Sequence, residues 1–240
     1  MRTKFAWRRR RWRRAAVPAA ILASWLAWEA ARWPAVGPLV AENPRTTAYI
    51  DRFRAERRGR GEPADVAQVW VRYDRISRQL KKAVLVAEDI NFFSHSGFET
   101  AELREAMRRA VTKRELPRGA STITQQLARN LWLSPSRNPL RKLREALLTR
   151  QIERTLSKER ILELYLNVAE FGPGIYGVEA AARYYFGRSA RRLDRHQAAR
   201  LAATLPAPSR LNPATIARDH WRVKMILNRM EKAEFLDRRL

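Results

Sequence analysis

Apolar positions recur along most of this chain every three to four residues, a spacing that predicts helices rather than strands. Ile76, Leu80, Ala83, Val84 and Ala87 fall on one helix face. Thr100 can cap a helix carrying Leu103, Ala106, Met107, Ala110 and Val111, which Pro117 ends. Leu140, Leu143, Leu147, Leu148, Ile152 and Leu156 give another helix. Ser157 can cap the run through Ile161, Leu162, Tyr165 and Leu166. A helix over 177–186 stops at Gly187, Asp194 caps a segment reaching Leu205, and 221–230 closes the series. Only 66–73, partly β-branched and aromatic, reads as an isolated extended segment. The expectation is a mainly α domain over 66–240.

Upstream the pattern changes. Residues 15–28 carry no charge, and no basic residue follows before Arg32. Seventeen residues, 15–31, make about 26 Å of helix, the short end of what a bilayer core of roughly 30 Å accepts. Residues 1–14 hold seven Arg and one Lys without an acid, and Trp7, Trp12, Trp25, Trp28 and Trp33 lie within or beside the run. Basic flank and aromatic edges predict a basic cytoplasmic tail over 1–14 and a transmembrane signal-anchor over 15–33. The rest then lies outside, making a single-pass membrane protein. A cleaved signal peptide is weakened by the lack of an A-x-A site. A surface helix is weakened because the run is apolar all round. Residues 34–65, rich in Pro and Gly around a charged run, read as a linker.

Composition narrows the chemistry. The chain has 49 Lys+Arg against 24 Asp+Glu, a net charge of +25, and 45% hydrophobic residues. That hydrophobic share can build a core, and the charge asks for an anionic partner: nucleic acid, a lipid surface or a phosphate-bearing substrate. Removing the tail takes eight charges away and leaves +17, so the tail does not explain the excess. Without Cys there are no disulfides, thiolate nucleophiles or Cys-ligated metals. His95, His196 and His220 lie too far apart for metal-ligand spacing.

Three stretches carry chemistry. In the first, Glu88 and Asp89 follow an apolar helix face and precede Phe92, Phe93, His95 and Gly97. A carboxylate partly desolvated there has a raised pKa and suits a general base; the plain alternative is a solvated helix end with core phenylalanines. In the second, after Gly119, Ile123, Leu127 and Leu131 form an apolar stripe. Ser121, Gln125 and Arg129, flanked by Thr122 and Gln126, take the other side. Hydroxyls and amides of this kind can hold a sugar or phosphate, and free N–H groups at the helix start suit an anion; otherwise Ser121 is an N-cap on a polar surface. In the third, Arg137, Arg141, Lys142, Arg144 and Glu145 put cations and a carboxylate on one face, Arg141 and Glu145 being i, i+4 neighbours. Arginine forks hold pyrophosphate well, although most such pairs are simply exposed.

In order, Glu88-Asp-x-x-Phe92-x-x-His95-x-Gly97, the run from Gly119 through Gln125, Gln126 and Arg129 to Asn130, Arg141-Lys-x-x-Glu145 and Lys158-x-x-Ile-Leu-Glu-x-Tyr-Leu-Asn167 resemble the motifs of the peptidoglycan glycosyltransferases. These are the lysozyme-like family 51 enzymes that polymerise lipid II. The stretch 174–187 extends the resemblance, which spans about 66–213. Arg129 stands where Lys is commoner, and Gln197 where Glu is expected; the latter reads as structural. The chain lacks the Ser-x-x-Lys and Lys-Thr-Gly patterns of a penicillin-binding transpeptidase, so the resemblance is to the monofunctional branch.

That resemblance implies a lysozyme-like helical glycosyltransferase domain with Glu88 and Glu145 as catalytic residues. It also implies that the membrane is the inner one and the domain periplasmic. Glu88 takes the proton from the GlcNAc 4-hydroxyl of lipid II, and that oxygen attacks the anomeric carbon of the growing chain with inversion. Undecaprenyl pyrophosphate leaves, its charge met by Arg129, Arg137, Arg141 and Lys142. Glu145 acts either through a divalent cation, Mg or Mn, or by ordering those cations. Ser121, Thr122, Gln125, Gln126 and Asn130 bind substrate, while Asp89, Phe92 and His95 support Glu88. Implied partners are lipid II, the undecaprenyl-pyrophosphate-linked glycan, membrane lipids and a cell-wall synthesis complex, with no nucleic acid. The rivals are a lysozyme-like glycan hydrolase, a nucleic-acid-binding module and a basic membrane-tethered binding protein or scaffold.

Overall fold

The computed structural model describes residues 20, 23–24, 27–29, 31–99, 121–135, 138–217 and 219–240. Two units result, Met1–Ala35 and Val36–Leu240. In the first, the described residues between 20 and 31 are helical. The tail over 1–14, most of the expected membrane span, the helix from Thr100 to Pro117 and Arg137 lie outside the described residues. Among the described residues no helix is long and apolar enough to cross a membrane.

The second unit is mainly helical. Its elements are α1 (Ala48–Gly59), β1 (Ala67–Gln68), α2 (Arg78–Glu88), α3 (Ile123–Trp132), α4 (Pro139–Thr155), α5 (Lys158–Val168), β2 (Glu170–Gly172), β3 (Ile175–Tyr176), α6 (Val178–Phe186), α7 (Arg195–Thr204) and α8 (Trp221–Lys232). The expected caps form: Ser157 accepts the Arg160 N–H, and Asp194 accepts the N–H of Gln197. Gln197 returns its side chain to the Asp194 backbone N–H, closing a capping box and giving this residue the structural role expected of it.

Two helix groups meet at the site. In one, α2 packs on α7 and α8; in the other, α3 packs on α4 and α5. Leu80, Val84 and Leu85 are buried in the first group; Ile123, Leu127, Leu148 and Ile152 are buried in the second. A three-stranded sheet, in the order β1-β3-β2, flanks them, with β1 parallel and β2 antiparallel to β3.

Three expectations change. The stretch 34–65 is no mere linker from Val36 onward: α1 packs on α3, and Leu39 and Ile50 are buried. Its charged outer face hid a helix that contributes few apolar side chains. Burial on α2 extends all round, including Lys81 and Lys82. Their stems lie in the core while the Lys81 ammonium sits 3.8 Å from the Tyr73 ring centre and Lys82 bonds Asp237. The apolar positions of α4 and its C-cap divide: Leu148, Ile152 and Leu156 are buried, whereas Leu140, Leu143 and Leu147 are about half exposed.

Candidate active site

Glu88 is the last residue of α2. The Gln126 amide donates to its Oε2 at 2.9 Å, and Arg222 Nη2 donates to its Oε1 at 3.1 Å. Burial pushes the Glu88 carboxyl above the usual carboxylate range. The Gln126 bond and the charges of Arg222 and Arg129 pull the other way, and the neighbouring Asp89 adds to the rise. Gln126 is itself fixed, because its Oε1 accepts from the buried Tyr165 hydroxyl at 3.0 Å.

Asp89 holds this end of α2 against the start of α3. Its Oδ2 accepts the Ile123 N–H at 2.9 Å, and His95 Nε2 lies 2.9 Å from Oδ1. His95 Nδ1 accepts the Gly97 N–H, so the ring proton sits on Nε2 and is donated to Asp89. Phe92 is fully buried and packs edge-on against the His95 ring. Gly97 has φ +89, and a Cβ there meets the Thr149 and Glu153 side chains at 2.7 and 2.9 Å. Only glycine fits this turn.

Glu88 faces a cleft of about 740 Å3. Ser121, Gln126, Arg129 and Asn130 form one side; residues 205–210 and Arg222 form another, with Tyr165 and Glu170 also lining it. A smaller cavity of about 200 Å3 shares Glu88 and Ser121 and is bordered by Asp89, Glu99, Thr122 and Arg229. Burial also raises the Glu170 carboxyl, with Glu56 adding to the rise and Arg52 opposing it.

Of the predicted residues, Glu88, Ser121, Gln126, Arg129 and Asn130 thus come together. Thr122 and Gln125 do not serve the cleft. They are buried and spent on each other in the capping box that starts α3, and the Thr122 hydroxyl also donates to the Gly97 carbonyl. With Thr122 as the cap, Gln125 sits at N3 and is consumed by the capping box, and half-buried Gln126, Arg129 and Asn130 line the cleft. Glu145, Arg141 and Lys142 form a separate cluster lining neither cavity. Glu145 is fully buried; its Oε2 accepts from Arg141 at 2.7 Å and its Oε1 from the Lys142 ammonium. Leu131 and Leu133 are buried core positions.

Sequence patterning missed Arg222, Glu170, Arg210 and the bonding role of Tyr165. The Pro206 and Pro208 pair marked a turn at the cleft wall, but nothing local linked Arg222 to a carboxylate 134 residues away.

Comparison with known proteins adds an independent line. The protein family described as Transglycosylase matches residues 57–231. A biosynthetic peptidoglycan transglycosylase of Thiobacillus denitrificans is 50% identical over 169 residues, covering 70% of this chain and 73% of that protein. One from Bordetella pertussis is 52% identical over 170 residues, 69% of this chain and 70% of that protein. One from Paraburkholderia xenovorans is 45% identical over 191 residues, 79% of each.

Proposed function

This chain belongs to the transglycosylase family and is a peptidoglycan glycosyltransferase that polymerises glycan chains from lipid II, and from that premise we propose how its residues divide the work. Glu88 is the general base. The observation that carries this is a carboxylate bordering a polar cleft, raised by burial yet held at both oxygens. A base of this kind takes a hydroxyl proton near neutral pH more readily than an ordinary solvated carboxylate. The acceptor 4-hydroxyl oxygen bonds to the anomeric carbon of the growing chain as the bond to undecaprenyl pyrophosphate breaks, and the proton passes to Glu88.

Arg129 and Asn130, on the face of α3 next to Gln126, bind the donor, with Ser121 at the mouth of the same cleft. Gln126 acts through Glu88 as a positioning residue, as do Asp89 and His95. Glu145 orders Arg141 and Lys142 toward the departing pyrophosphate, to which Arg137 also contributes. Holding Mg or Mn suits Glu145 less well, because both its oxygens already accept from cations. Among the described residues no group of three or more His, Asp or Glu side chains surrounds a common point.

The reading includes a lysozyme-like domain tethered at the outer face of the inner membrane by the segment 15–33. Leu140, Leu143 and Leu147 lie at i, i+3 and i+7 on α4 and give it an exposed apolar stripe suited to lipid. Purified lipid II tests the base assignment. The wild type makes long glycan strands, and Glu88→Gln binds lipid II without polymerising it. Near-normal polymer from that variant overturns the assignment, and cleavage of pre-formed strands by the wild type indicates a hydrolase instead.

A further inference from the structure

The base is held from a part of the chain remote from every motif that pointed to it. Arg222 and Arg229 lie seven residues apart on one face of α8, which packs against α2. Arg222 donates through Nη2 to Glu88 Oε1 at 3.1 Å and through Nε to the Ala203 carbonyl, near the end of α7, at 3.0 Å. Both side chains of the ion pair are mostly withdrawn from solvent, at 17% and 12% exposure. Arg229 Nη1 donates to the Val86 carbonyl at 3.1 Å. Since α2 ends at Glu88, that carbonyl has no partner within its own helix, and a cation there also suits the helix dipole.

We infer that Arg222 is a positioning residue that fixes the Glu88 carboxylate and supplies its bonded counter-charge, and that Arg229 fixes the backbone beneath it without sharing the charge. The inference rests on Glu88 being the base. Among the described residues, the groups acting on Glu88 are Asp89 beside it, Gln126 and Arg129 from α3, Tyr165 from α5 and Arg222 from α8. Of the two cations, Arg222 is the one bonded to the carboxylate while also anchored to α7. Its charge opposes the effect of burial, so the carboxylate stays available as a base instead of holding its proton.

The test is the pH dependence of kcat/KM for lipid II polymerisation by the full-length chain in detergent. The acid limb of that profile reports protonation of the base in the free enzyme. Arg222→Gln is expected to move the limb to higher pH by about one unit, as loss of a close opposite charge requires, and to lower the plateau. Arg222→Lys restores the limb while the plateau stays low, because the charge remains and the two-sided anchorage is lost. Arg229→Gln lowers the plateau and leaves the limb in place. An unmoved limb in Arg222→Gln, or an equal move in Arg229→Gln, overturns the inference. Should Arg222→Gln fail to fold by circular dichroism, Arg222→Lys decides alone: an upward-moved limb overturns the inference and an unmoved one supports it. Glu88→Gln separates the two levels. If it still polymerises, the base assignment fails; if it is dead and the Arg222→Gln limb stays put, only the role of Arg222 fails.

Discussion

Glu88 and Glu145 are both largely withdrawn carboxylates at helical positions, both bonded to arginine, and they are held in opposite ways. Glu145 takes its partners from its own helix, Arg141 and Lys142, four and three residues away. Glu88 takes its partners from two other helices, 38 and 134 residues distant. Among the described residues Glu145 meets two cations and lines neither of the two cavities, whereas Glu88 meets one bonded cation and one amide and borders the cleft. A carboxylate closed in by two cations is suited to arranging charge. One that burial has pushed up, with a single bonded cation against it, is suited to taking a proton.

The largest effect that breaks this comparison is on turnover. Loss of a general base costs about 10²–10⁴ in rate, so Glu88→Gln falls about a thousandfold in lipid II polymerisation. Glu145→Gln keeps its shape and still accepts one bond, and falls only about tenfold, as loss of an ordering contact does. Radiolabelled lipid II turnover measures both, and equal losses refute the division of roles.

Stability reverses the ranking. Leaving a buried charge without partners costs roughly 3–5 kcal/mol. Arg141→Met with Lys142→Met does this to Glu145, so denaturant unfolding of that double variant drops by about 3 kcal/mol, allowing for water reaching the site. Glu145→Gln costs less, about 1 kcal/mol, because the Lys142 side chain is 53% exposed and its ammonium turns to solvent. A larger loss in Glu145→Gln than in the double variant contradicts this asymmetry.

A smaller effect tests the held pose of Glu88. Gln126→Leu removes the donor to Oε2 and lowers kcat about tenfold, the worth of a hydrogen bond to a charged group. Tyr165→Phe removes only the bond that fixes Gln126, so it lowers kcat about threefold. A greater loss in Tyr165→Phe gives that hydroxyl a role beyond orienting the amide.

The same contrast explains what could be read from the chain alone. Interactions spanning three or four residues were legible: the Arg141–Glu145 pair and the Ser157 and Asp194 caps all form. Position within a turn was less so: with the cap at Thr122, Gln125 falls at N3 and is spent in the capping box, which leaves Gln126, Arg129 and Asn130 to line the cleft. Periodicity found the α4 leucines but not which of them are buried, because that depends on which neighbours pack there. Arg222 was illegible for a plainer reason. It is one of many arginines, and only the packing of α8 on α2 tells it apart.

The smallest expected effect concerns the stability that Glu88 itself costs. Its carboxyl is raised in the folded protein, so the folded state binds a proton more tightly than the unfolded chain does. The stability this contributes is fully present below the ordinary carboxylate range and is lost as pH rises through the folded value. At neutral pH the wild type therefore carries a charge-burial cost, only partly offset by Arg222 and Gln126, that Glu88→Gln does not. The variant is expected to be slightly more stable than wild type at neutral pH, with the gain shrinking in acid. It is held small because the new amide donor faces the Gln126 amide, itself a donor at that point. Glu145→Gln is expected to be less stable than wild type at neutral pH, because one of its two charge-assisted bonds is lost. Thermal unfolding of both variants from pH 4 to pH 8 measures the pair. A neutral-pH loss in Glu88→Gln as large as that in Glu145→Gln means that the bonds from Arg222 and Gln126 outweigh burial, and that Glu88 is held as firmly as its counterpart.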